Sequence, residues 1–182
     1  MKERLGWSGS PSGWVGDSKY EVYKSNAIID NHSKLVAHLL EFHNATDYRT
    51  DNFDTYNIFT EWTSDEMYDL FFEVKTVVRN HIPHGRLWLQ AWLNAHRQDE
   101  CLDWHDHTFP YHGYISIEPK DTTTEFAHWK VKNEIGNIYF GFGGEANAHR
   151  VVVNTPYDDH RITIGFDVQS EATQGMNKFI PV

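Results

Sequence analysis

The sequence predicts a mainly β, α+β fold: an antiparallel sandwich or barrel carrying two N-terminal helices on its outside. Three observations support this. Helical periodicity is confined to roughly the first 84 residues, six short alternating segments fill about 85–170, and no helix separates those segments. Parallel strands would need such crossover helices, so the strands are expected to be antiparallel.

The opening GWSGSPSGWVGD is rich in Gly, Ser and Pro and reads as a loop or arm laid over the core. A strand is expected near Tyr20 to Tyr23. From Ser33 to Phe42, Leu35, Val36, Leu39 and Leu40 recur at helical spacing, with Asn31 or Ser33 available as cap. A second helix is clearer, because Met67, Leu70, Phe71, Val74, Val77 and Val78 form one stripe. Thr63 and Glu66 have capping-box spacing at its start, and Pro83 and Gly85 stop it. His81 and His84, at that end, complement the helix C-terminus.

Beyond this point the period changes to two. RLWLQAWLN, HGYISIEP, TEFAHWKV, GNIYFGFG, HRVVVNT and RITIGFDV are aromatic or β-branched, and Gly, Pro, Asn or Asp clusters separate them. GFGGE lacks the Lys-Ser/Thr of a phosphate loop, so its glycines mark a turn or bulge. At 182 residues, with no repeat or linker, the chain is expected to form a single domain over 1–182.

Composition narrows the function classes. A formal charge of −10, with no basic patch, disfavours a nucleic-acid partner. No apolar run is long enough for a membrane span and the N-terminus lacks a signal-peptide centre, so a cytoplasmic protein is expected. The single Cys101 excludes an internal disulfide and reads as a buried or half-buried thiol.

The chemistry concentrates in WHDHTFPYHGYISI. Residues two apart on a strand share a face, so Asp103, His105 and His107 point one way if this segment is extended. His149 opens one later strand and Arg161 another, with Thr163 on the face of Arg161. The set offers a pair of imidazoles, a distant third imidazole, and a guanidinium able to grip a carboxylate through a planar fork. Apart from His81 and His84, the other histidines, His112 among them, show no ligand-like spacing.

These pieces resemble the Fe(II)- and 2-oxoglutarate-dependent oxygenases. In that family a His-x-Asp/Glu pair precedes a strand, and a Gly-led strand and a distal His follow. About ten residues on comes an Arg or Lys, often as Arg-x-Ser/Thr. Here HDH, HGYISI, GNIYFGFGGEANAHRV and RITIGFDV fall in the same order over roughly 87–168. The closing run is most similar to small prolyl and aspartyl hydroxylase-type members and to phage-encoded members.

The resemblance implies a double-stranded β-helix (jelly roll, cupin-like). It implies iron held by His105, His107 and His149, and 2-oxoglutarate as cosubstrate. The far carboxylate of the cosubstrate would sit on Arg161, aided by Thr163 and Tyr114. The reaction implied is hydroxylation of a small-molecule or peptidyl substrate, with decarboxylation of 2-oxoglutarate to succinate and CO2.

His107 stands where the family has a carboxylate. Three arrangements fit: three His ligands, as in some cupin-type oxygenases; His105 and His149 with water; or Asp103 or Asp106 swung in. A cupin-like three-His enzyme without 2-oxoglutarate, and a non-enzymatic viral β-sandwich module, are the competing readings. Among the aromatics Trp88, Trp92, Trp104, Phe126, Trp129, Tyr139 and Phe140, most are expected in core faces and one or two on a pocket wall.

Overall fold

The computed structural model describes residues 2–3, 20–45, 50–171 and 178–182, and the turn-rich opening at 6–17 lies outside them. In chain order the elements are β1 (Lys2–Glu3), β2 (Glu21–Lys24), α1 (Asn26–Ala45), α2 (Ile58–Glu61), α3 (Asp65–His81), β3 (Trp88–His96), β4 (Tyr111–Glu118), β5 (Thr122–Phe126), β6 (Lys130–Lys132), β7 (Asn137–Phe142), β8 (His149–Val153), β9 (Arg161–Gln169) and β10 (Ile180–Pro181). The fold is mainly β, with two antiparallel sheets and helices beside them, as expected. The larger sheet runs β1-β2-β7-β4-β9-β3-β10 and the smaller β6-β5-β8. No helix among the described residues is long and apolar enough to cross a membrane.

The helical region departs from expectation in three ways. The first helix begins at Asn26, where the Ser25 hydroxyl accepts from the Ile28 amide at 3.1 Å. Asn31, the expected cap, instead sits inside α1 at a kink, with φ −118° and its side chain donating to the Ala27 carbonyl. An Asn that bonds its own preceding turn competes with the helix ladder, so a cap signal can equally mark a bend. At α3 the cap is Ser64, which accepts from the Met67 amide at 3.2 Å, one residue later than the Thr63 box. Four-residue α2, capped by Asn57, was not expected, being too short for periodicity to reveal. The expected strand TEFAHWKV is also two strands, β5 and β6, joined by a turn in which the Phe126 amide donates to the Trp129 carbonyl.

Strand parity divides the large sheet into two chemically different faces. On one, Leu89, Ala91 and Leu93 of β3, Ile115 and Ile117 of β4, Ile138 and Phe140 of β7, and Ile162, Ile164, Phe166 and Val168 of β9 share a core. They pack with Ile28, Leu35, Leu39 and Phe42 of α1 and Met67, Leu70, Val74, Val77 and Val78 of α3. Each fully buried Val, Leu, Ile, Phe or Met among them stabilises the fold by about 1.5–3 kcal/mol. Gly113 is needed here because a Cβ on it would stand 2.1 Å from the Phe166 ring, its cross-strand neighbour.

The opposite face points toward the small sheet. Tyr20, Val22, Tyr114 and Tyr139 pack there against Phe126, Trp129 and Val131 in a second apolar cluster. Beside it the face turns polar, and the candidate site lies there. Trp104, grouped above with the aromatics, is 47% exposed and stacks under the Arg150 guanidinium, so it is not a core residue. Its strand neighbours supply no covering layer, since the 102–110 segment runs as loop apart from one bridge at His105.

Candidate metal centre and anion pocket

The site is assembled by strand register. On β9, Arg161, Thr163, Gly165 and Asp167 alternate onto the inward face. β4 sets His112 opposite Asp167, Tyr114 opposite Gly165 and Ser116 opposite Thr163. β3 sets Gln90, Trp92, Asn94 and His96 opposite Asp167, Gly165, Thr163 and Arg161. The small sheet contributes His149, which pairs with Phe126 and, through an isolated bridge, with His105. The three imidazoles expected as ligands therefore come together. His105, His107 and His149 each offer a ligand atom, and all three atoms lie within 4.8 Å of one another. A second grouping, His107, His112 and Asp167, overlaps the first. Buried His and Asp groups here could hold a metal ion.

Hydrogen bonds fix which nitrogen each ring presents. His105 Nδ1 lies 2.7 Å from the Asp103 carbonyl oxygen, and His149 Nδ1 lies 3.0 Å from that of Asn147. A carbonyl only accepts, so Nδ1 holds the proton in both rings and Nε2 keeps its lone pair. His107 Nδ1 stands 2.9 Å from Asp167 Oδ1, in a close electrostatic contact. Its Nε2 is buried with no hydrogen-bond partner among the described residues. A buried polar atom left unpaired in this way costs roughly 1–3 kcal/mol unless something occupies it. The donor set fits a divalent transition metal, which binds neutral imidazole nitrogen.

The electrostatics disfavour the charged form of three of the site's imidazoles. Burial pushes the His112 pKa down to about 4, and the neighbouring His107 adds to that. Burial likewise lowers His149 well below its ordinary value, with His112 and His105 contributing, and lowers His105. Burial alone would raise the Asp167 carboxyl, but His107 and His112 outweigh it and hold the group below the usual carboxylate value.

Farther along the same face, Arg161 is 4% exposed. Its one hydrogen bond among the described residues runs from Nη1 to the Thr163 hydroxyl, 3.2 Å, and its Nε is buried and unpaired. No carboxylate among the described residues pairs with it. Burying a cation costs on the order of several kcal/mol unless an anion compensates it. Burial accordingly lowers the Arg161 pKa. Around it the Ser116 hydroxyl and the Asn94 Oδ1 are also buried without partners among the described residues, and the Tyr114 hydroxyl has Thr124 beside it. Burial pushes the Tyr114 phenol up, so it remains an O–H donor. Arg161, Thr163 and Tyr114 thus lie on the inward face where an anion would be received.

Asp103 and Asp106 do not join the ligand groupings. Both are exposed, and the Asp103 carboxylate accepts from the Trp104 amide. The segment is loop here rather than strand, which removes the alternation that would have aimed Asp103 inward. Cys101 is half-buried, with Sγ 3.3 Å from the Tyr157 hydroxyl. Two residues of the site were missed in the sequence, His112 and Asp167. A signal existed, because Asp167 has the parity of Arg161 and Thr163, but joining it to His112 requires the β4–β9 register. Compared with protein-family models and with curated proteins, the chain matches none.

Two outcomes follow from this geometry. In the unfolded chain His112 takes up a proton near its ordinary value of 6.5, but in the folded chain only near 4. Across that window the unfolded state binds more protons, so stability should fall as pH falls. His105 and His149 act in the same direction. The urea midpoint of metal-free protein is expected to drop between those two pH values, and less steeply in His112→Gln; a flat profile would contradict the neutral-imidazole reading. Separately, Arg161→Met removes a buried cation that lacks a counter-ion. The variant is expected to melt at the same temperature as the ligand-free parent or higher, and a drop of many degrees would assign Arg161 a structural role.

Proposed function

We propose that this chain is a mononuclear Fe(II)- and 2-oxoglutarate-dependent dioxygenase that hydroxylates a small-molecule or peptidyl substrate, built on a double-stranded β-helix. One observation leads to this reading. Three imidazoles meet on the same inward surface that holds a buried guanidinium with no carboxylate partner among the described residues. A structural histidine cluster would have no use for that cation, and an arginine serving stability would have a carboxylate on it. An ion at one end and a dicarboxylate reaching to the other accounts for both.

The strand order supports the fold reading. Counting the His105 bridge as a short strand, the core segments in chain order pair as first-eighth-third-sixth (β3, β9, β4, β7) and fifth-fourth-seventh-second (β6, β5, β8, His105). That is the alternation of a doubled Greek key.

His105, His107 and His149 would hold the metal through Nε2. The Asp103 and Asn147 carbonyls hold His105 and His149 through Nδ1, and His107 Nδ1 lies 2.9 Å from the Asp167 carboxylate, so the rings are oriented before anything binds. Arg161 would accept the far carboxylate of 2-oxoglutarate in its fork, oriented by Thr163. The Tyr114 hydroxyl, kept protonated by burial, can donate to the same group. Tyr139, Phe126 and Trp129 form an apolar wall beside the site, with Phe126 against the His149 ring. When bound, iron and 2-oxoglutarate supply the oxidising chemistry, with succinate and CO2 as products, while the protein supplies position and a dry cavity.

Anaerobic addition of Fe(II) and 2-oxoglutarate is expected to give a weak visible charge-transfer band. The band should be absent in His149→Ala, and Arg161→Ala should require far more 2-oxoglutarate to produce it. Absence of both the band and succinate under air would contradict the proposal. A metal-loaded protein indifferent to the Arg161 change would favour a cupin-like three-His enzyme instead.

A further inference from the structure

A centre of three histidines has no anionic ligand, so a divalent ion would bring two uncompensated charges into a buried space that already holds Arg161. Asp167 is the acidic group placed to answer this. It is 2% exposed, and one carboxylate oxygen meets both His107 Nδ1 at 2.9 Å and His112 Nδ1 at 3.5 Å. Two arrangements are open: Asp167 behind His107, or Asp167 and His112 on the ion itself together with His107.

The close overlap of two rings favours the first. His107 and His112 lie face to face, with centroids 3.6 Å apart and planes 16° from parallel. Imidazole lone pairs lie in the ring plane, so two rings overlapped at 3.6 Å run their lone pairs side by side; His107 and His149 are also near parallel, at 5°, but their centroids stand 5.5 Å apart. His105, by contrast, is tilted 62° to His107 and 58° to His149, at centroid separations of 5.5 and 4.4 Å, so its lone pair can cross theirs. A lone pair on His107 Nδ1 would repel the carboxylate oxygen beside it, so Nδ1 bears the proton and Nε2 is left for the metal.

We propose that Asp167 is the positioning and charge-balancing carboxylate of this centre, held behind His107 on the last core strand, and that it takes over the role of the acidic ligand His107 replaces. The inference rests on the metal-centre reading above. Through the His107 ring it fixes the tautomer and raises the basicity of Nε2, as a carboxylate–histidine–metal relay does. His112, the second ring against the same oxygen, remains off the ion.

Co(II) alone, titrated into metal-free full-length chain and followed by its visible d–d absorption, tests this without any turnover. Wild-type chain should bind one ion. Asp167→Asn, close to isosteric but uncharged, should bind about 10–100-fold more weakly with the same band shape. Asp167→Glu, which restores the charge, should recover affinity relative to Asp167→Asn. His105→Ala should lose the band, and His112→Ala should keep it, with circular dichroism confirming that each variant folds. Wild-type affinity in Asp167→Asn would overturn the proposal while leaving the metal centre intact. Loss of the band in His112→Ala, or a new band shape in Asp167→Asn, would overturn it by placing those groups on the ion. A wild-type chain that takes up no Co(II) would remove the centre itself.

Discussion

The two faces of the large sheet divide the work of the molecule, and everything else depends on that division. Alternation along β3, β4, β7 and β9 sends Leu, Ile, Val and Phe to the helical side, where α1 and α3 cover them. Stability is concentrated on that side. The other face is thereby free to hold groups that a core would reject: a buried guanidinium, several imidazoles, a carboxylate, and hydroxyl and amide groups without partners. An interior of this kind is costly by itself, and its persistence in a well-packed fold is what calls for ligands. The destabilised face and the face of the candidate site are the same.

Much of this was legible in the sequence, and the reason is period two. His149 and Arg161 each open a strand, so their place at the rim of the sheets followed from the pattern. Thr163 followed from parity with Arg161, and the hydrogen bond between them bears that out. His105 and His107 converge with His149 although the segment bearing them is loop apart from one bridge; there spacing outlived the strand assumption that suggested it. Asp103 illustrates the cost of the same assumption, since in a loop its carboxylate turns to the Trp104 amide.

What stayed hidden was relational. His112 looked like one histidine among many, and Asp167 like a charge near the end of a strand. They become a site only when β4 and β9 are set side by side with His112 opposite Asp167, a register that neither strand encodes alone. The local errors have local causes. Asn31 has the chemistry of a cap and is used at a kink, a four-residue helix has no period, and the turn between β5 and β6 is made by Ala127 and His128, neither a turn former. None of these involves a residue of the ligand groupings, which is why the site survived them.

The central claim is that three imidazoles hold one metal through Nε2 with a carboxylate behind one of them. It is tested most directly by a crystal grown with Co(II) and measured at the cobalt absorption edge. The expected result is a single anomalous peak within bonding distance of Nε2 of His105, His107 and His149, with Asp167 still on His107 Nδ1. A peak bonded to Asp167 or His112, or none between the sheets, would contradict it.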